Sequence, residues 1–113
     1  MKSKIVALSK NEDFKYLLKQ KKISNKYLTI FFGTLSNKDK KKLNISFVAK
    51  KKLGNAIKRN KIKRRLKNII NEIVKNISVN LNYSYLVIAK ITMLNNEYIK
   101  IKETLFEDFK KIK

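Results

Sequence analysis

Between Asn55 and Ile77 a set of apolar residues, Ile62, Leu66, Ile69, Ile70, Ile73 and Ile77, follows the three-four spacing of a helix face. That spacing stacks them on one face of an α-helix. It predicts a long helix ending at about Asn76 or Ile77, with Asn55 as N-cap and Gly54 closing the segment before it. A helix with a single apolar stripe needs an apolar surface to lie on. The runs on either side, Leu43 to Ala49 and Tyr85 to Ala89, have the composition of strands.

The remaining segments suit the same plan. Ser9-Lys10-Asn11-Glu12 has the form of a capping box, and Phe14, Leu17 and Leu18 fall on one face behind it. A short helix is expected from about Lys10 to Gln20. Lys21 to Asn25 reads as a loop or short edge strand. Tyr27 to Phe32, rich in aromatic and β-branched residues and ending at Gly33, reads as a strand. Ser36 to Lys40 is a polar turn. Leu43, Ile45 and Phe47 alternate along the next strand, and these two strands are expected to form an antiparallel hairpin. Asn80 and Asn82 mark a turn before Tyr85-Leu86-Val87-Ile88-Ala89, a nearly continuous apolar run typical of an interior strand. Asn95 or Asn96 is expected to cap a last helix carrying Tyr98, Ile101, Leu105, Phe106, Phe109 and Ile112. The order is α-β-β-α-β-α, with room for one more strand near Ile23, in a single domain spanning 1–113.

Charge narrows the function. The chain has 29 Lys and Arg against 8 Asp and Glu, a net charge of +21 that attracts anions from a distance. Nucleic acid is the leading partner, well ahead of an anionic membrane surface. With no cysteine and no histidine, disulfides, thiolate metal sites, imidazole general bases and zinc-finger ligation are all excluded. The N-terminal apolar run is too short for a signal peptide, and no stretch has the length to span a bilayer, so a cytoplasmic protein is expected. The absence of Pro and the abundance of Lys, Asn and Ile fit an AT-rich coding genome, which accounts for part of the lysine excess.

The basic residues are not spread evenly. All three arginines lie between Lys58 and Lys67, where only Ile62 and Leu66 are apolar. This is the start of the long helix, the end at which the macrodipole disfavours cations. On a helix Arg59, Lys63 and Lys67 share a stripe with Asn60 and Arg64 beside it. That is a donor surface for phosphates to which arginine adds bidentate geometry. On charge alone such a run is equally an ordinary solvated face.

Leu53-x-x-Ala56-x-x-Arg59-Asn60-Lys61-Ile62-Lys63-Arg64-x-Leu66-Lys67 resembles the signature of the bacterial ribonuclease P protein family, with Lys61 in place of the last arginine of the family's Arg-Asn-Arg core. Around it, Lys10 to Phe14 resembles the family's first helix, Ser46 to Lys51 the strand entering the signature, and Tyr85 to Lys90 its late strand. The family's usual Arg-Pro after that strand is Lys90-Ile91 here. The resemblance implies an α/β (α+β) sandwich around a central four-stranded sheet, with the signature helix in a left-handed βαβ crossover, against the usual right-handed rule. It also implies an RNA-binding subunit for a catalytic RNA that removes the 5′ leader from precursor tRNA. On that reading Asn55, Lys58, Arg59, Asn60, Lys61, Lys63, Arg64, Arg65 and Lys67 face the RNA subunit.

The same resemblance implies a cleft for the single-stranded leader, with Phe14 and Phe31 as stacking platforms and Lys26, Lys50 and Lys90 as cations. Leu18 stands where the family often has a second aromatic. Read without the resemblance, Phe14 and Phe31 are ordinary core residues, as Phe32, Phe47, Phe106 and Phe109 are expected to be. Glu103 and Glu107 are one helical turn apart, but an i, i+4 pair of Glu107 with Lys111 explains the spacing better than a metal site does, and Glu12 suits a helix N-terminus. No catalytic residue is expected on the protein. Catalysis and Mg²⁺ are expected to belong mainly to the RNA, and the protein to be a monomer in a 1:1 ribonucleoprotein. The alternative is a non-catalytic structural RNA-binding protein of ribosomal type, which explains the size and charge equally well.

Overall fold

A computed structural model describes residues 5–8, 10–35, 41–94 and 97–112. In chain order the elements are β1 (Ile5–Val6), α1 (Asn11–Leu17), β2 (Lys21–Ser24), β3 (Leu28–Gly33), β4 (Leu43–Val48), α2 (Ala56–Asn76), β5 (Ser84–Ala89) and α3 (Tyr98–Lys111), with 3₁₀ turns at Lys51–Leu53 and Ile91–Leu94. The five strands form one mixed sheet in the order β1-β4-β5-β3-β2. The fold class expected from the sequence is present, with β2 as the extra strand near Ile23 and the two-residue β1 making a fifth.

The expected hairpin of β3 with β4 is not formed. β5 lies between them, antiparallel to β3 and parallel to β4. The reason is burial. Sequence neighbours usually pair, but β5 is apolar on both faces and a strand of that kind is stable only in the middle of a sheet covered on both sides. Tyr85, Val87 and Ala89 point toward α2 and α3, and Leu86 is buried on the opposite face. The hairpin that does form is β2 with β3, pairing Lys22 with Phe31 and Ser24 with Thr29. Since β4 and β5 are parallel neighbours, the chain must cross over between them, and α2 is that crossover.

The main core lies between the sheet and α2 with α3. Ile62, Leu66, Ile69, Ile70 and Ile73 of α2 and Ile101, Leu105 and Phe109 of α3 are buried against Leu28, Ile30, Leu43, Ile45, Tyr85 and Val87. Each fully buried aliphatic side chain of this kind contributes about 1.5–3 kcal/mol. Phe109 is buried as expected, whereas Phe32, Phe47 and Phe106 are half-buried and pack on the core's edge. The Tyr85 hydroxyl donates to the Asn80 carbonyl at 2.6 Å, and burial, with Tyr83 adding to it, pushes the phenol well above its ordinary range. On the other face the short α1 lays Leu17, fully buried, beside Gly33, where a Cβ would stand 2.8 Å from Gln20 Cγ.

Several local expectations shift. α1 ends at Leu17 rather than near Gln20, because Lys19 and Gln20 turn the chain into β2. The capping-box serine, Ser9, and the polar turn at Ser36 to Lys40 lie outside the described residues, as do Asn95 and Asn96. The N-cap of α3 is Glu97. Glu107 pairs with Lys110 at 3.8 Å, not with Lys111, while Glu72 of α2 pairs across to Lys102 of α3 at 2.6 Å. Among the described residues no helix is long and apolar enough to cross a membrane.

Candidate nucleic-acid interface

The first surface is the start of α2. The chain leaves β4 through Ala49 and a 3₁₀ turn, then reverses at Gly54, whose φ of 133° is open only to glycine. Asn55 then caps the helix as expected, its side-chain oxygen accepting the Lys58 N–H at 3.0 Å. No acidic residue stands in the first turn, so nothing there offsets the cations against the helix dipole. Ile62 and Leu66 anchor the segment from below, and Lys58, Asn60, Lys61, Lys63, Arg64 and Lys67 are exposed around them.

The three arginines divide. Arg64 is exposed and lines a shallow groove with Ile57, Asn60 and Lys63. Arg59 and Arg65 are half-buried. Arg59 lies three residues before Ile62, on the core side of the stripe, and its Nε is shielded with no acceptor among the described residues. Among these residues no ion pair neutralises any cation of the segment. Ile57, 76% exposed in the first turn, was not anticipated as part of this surface. Its position off the apolar stripe was the available signal.

The second surface is concave. On the sheet face that carries α1, alternate residues of β3 and β5 point outward, and Phe31 sits opposite Leu86 with Thr29 opposite Ile88. α1 covers only part of this face. Beyond it Thr29, Phe31, Ile88, Ala89, Lys90 and Ile91 form a groove with Lys50 and Lys52, of about 570 Å³. Phe31 is half-buried with Lys22 Nζ 5.9 Å from its ring centre, a cation–π distance, so it is neither a core residue nor a free one.

Three of the six anticipated cleft residues therefore meet here: Phe31, Lys50 and Lys90. The others do not line the groove. Phe14 is half-buried on α1, Leu18 is 48% exposed just past its end, and Lys26 sits on the β2–β3 turn with Nζ 5.0 Å from the Tyr27 ring centre. Lys52 and Ile91 belong to the lining and were missed, since only the folded approach of residues 50–52 to the end of β5 brings them in. No group of three or more carboxylates, the chain's remaining metal-ligand type, comes together among the described residues.

A family model described as Ribonuclease P matches residues 3–113. The chain belongs to the ribonuclease P protein family. It is 31% identical over 108 residues to the ribonuclease P protein component of Carboxydothermus hydrogenoformans, covering 94% of this chain and 90% of that one. It is 33% identical over 99 residues to that of Mesoplasma florum, covering 87% and 86%. Among solved structures, the Staphylococcus aureus RNase P protein superposes with a TM-score of 0.72 at 30% identity, over 93% of this chain and 92% of that one. The Thermotoga maritima RNase P protein gives 0.79 at 21% identity over 96% and 98%, a likeness of fold. As a ribonuclease P protein component, the chain is one subunit of a ribonucleoprotein that processes tRNA.

Proposed function

We propose that this subunit assists a catalytic RNA in removing the 5′ leader from precursor tRNA, using its two basic surfaces for two different RNAs. The start of α2, from Asn55 through Lys58, Arg59, Asn60, Lys61, Lys63, Arg64 and Arg65 to Lys67, docks the RNA subunit. The groove over the sheet holds the single-stranded leader, with a base on Phe31 and with Lys50 and Lys90 in its lining. Phe14, Leu18 and Lys26 extend that path along α1 and the β2–β3 turn. Hydrolysis and the Mg²⁺ it requires belong to the RNA, and the protein acts as a monomer in a 1:1 complex in the cytoplasm.

The observation that carries this reading is the pairing of one half-buried aromatic ring, Phe31, with lysines in one concave site, on the sheet face opposite the one that α2 covers. An unpaired strand is held by base stacking beside a positive groove, whereas a folded RNA presents phosphates to a convex basic helix. The protein then offsets phosphate repulsion between catalytic RNA and substrate and favours precursor over product, because only precursor carries a leader. The test is reconstitution: purified protein is added to a ribonuclease P RNA at low Mg²⁺ and cleavage of precursor tRNA is followed. Stimulation of RNA-dependent cleavage is expected, with no cleavage by the protein alone. Absence of stimulation would refute the proposal.

A further inference from the structure

One lysine of the groove already has work within the protein. Lys90 follows β5 directly, and its Nζ donates to Ser24 Oγ at 2.9 Å and to the Asn25 carbonyl at 2.6 Å. Its backbone N–H donates to the Tyr27 carbonyl at 2.8 Å, and the Thr92 hydroxyl donates to the Lys26 carbonyl. The β2–β3 turn gripped in this way is also organised from within, where Asn25 Oδ1 accepts the N–H groups of Tyr27 and Leu28 at 2.7 and 3.0 Å. From α3, the buried Asp108 accepts a hydrogen bond from Asn25 Nδ2 at 2.5 Å. The grip continues into the groove wall, since Ser24 Oγ lies 3.0 Å from Thr29 Oγ1 and Thr29 lines the groove.

An ammonium has three donors, and two of those on Lys90 serve the turn. Lys50 and Lys52 form no side-chain hydrogen bond or ion pair among the described residues. We propose that Lys90 is a positioning residue. It locks the β2–β3 turn to the end of β5 and, through Ser24 and Thr29, sets the groove wall, leaving the phosphates of a bound strand to Lys50 and Lys52. This inference rests on the reading of the groove as the leader site.

Two measurements test it, with Lys90→Met, Lys90→Arg and Lys52→Met as variants. Amide exchange in the free protein reads the lock without any RNA. Lys90→Met should speed exchange at Tyr27 and Leu28 about tenfold, the loss of a charge-assisted hydrogen bond, and Lys90→Arg should restore protection. Unchanged exchange in Lys90→Met would overturn the lock. The second measurement is the salt dependence of the leader-dependent part of precursor affinity in the reconstituted complex. Lys52→Met should lower the log–log slope by about 0.7, one single-strand phosphate contact, while Lys90→Met weakens affinity severalfold at an unchanged slope. A slope loss in Lys90→Met equal to that of Lys52→Met would make Lys90 a phosphate contact and overturn the inference, as would unchanged affinity. If the unaltered protein shows no leader dependence, it is the leader reading that fails, and the lock is still decided by exchange.

Discussion

The outer face of α2 and the groove over the sheet are both basic, and they carry their charge in opposite ways. On α2 the cations stand on a convex surface, unneutralised by any ion pair among the described residues and set against the helix dipole. In the groove a smaller number of lysines surrounds an aromatic ring, and one of them is bound into the fold. The first arrangement suits long-range attraction to a large, folded polyanion. The second suits a flexible strand that must be ordered base by base. A net charge of +21 describes both surfaces together and distinguishes neither.

Removing what the two surfaces share should do the most damage. Leu66 is fully buried beneath the basic stripe, and Leu66→Ala should cost about 2–5 kcal/mol of stability, measured by urea unfolding. A loss below 1 kcal/mol would mean that α2 is not seated on the sheet through this residue. The next change separates the surfaces. Arg59→Ala with Arg64→Ala should lower the log–log salt slope of RNA-subunit binding by about 0.7–0.9 for each lost phosphate contact. Leader affinity at saturating protein should stay the same. An unchanged slope would mean that these arginines do not touch phosphate.

Phe31→Ala should do the reverse, costing about 1–3 kcal/mol in leader affinity if a base stacks on the ring, with RNA-subunit binding intact. If instead stability falls and leader affinity holds, Phe31 belongs to the core. The smallest effect concerns neither surface. Glu72 hydrogen-bonds Lys102 across α2 and α3 and so raises the lysine's pKa above its ordinary 10.5. A raised lysine pKa stabilises the fold at pH values below the ordinary one, and the benefit is lost as pH rises through the raised value. Glu72→Gln should therefore lower the Tm slightly at neutral pH, and the difference should close as the solution becomes strongly alkaline. A difference that persists there would mean the pair acts through packing rather than charge.

How far the sequence reached differs in the same way between the two regions. The α2 surface is made by one continuous segment, so its Asn55 cap, its Ile62-to-Ile73 stripe and its exposed cations were legible from spacing alone. The groove is assembled from β3, residues 50–52 and the end of β5, and its composition depended on strand order. Pairing β3 with β4, the nearest strands in the chain, hid the fact that Thr29 lies beside Ile88. Burial on both faces of β5 was the physical clue to its central place. The Asn25–Asp108 hydrogen bond spans 83 residues, and neither partner sits in a pattern that announces the other. Lys90 was recognisable as a cation near the site, but what it holds is visible only in three dimensions.

Whether one protein holds two RNAs on two surfaces is decided by the ratio of precursor to mature-tRNA affinity in the reconstituted enzyme, measured at saturating protein. Phe31→Ala should narrow this ratio, while Arg59→Ala with Arg64→Ala should leave it unchanged once enough protein is present to assemble the complex. A ratio that falls equally for both would merge the two surfaces into one and overturn the division of roles between them.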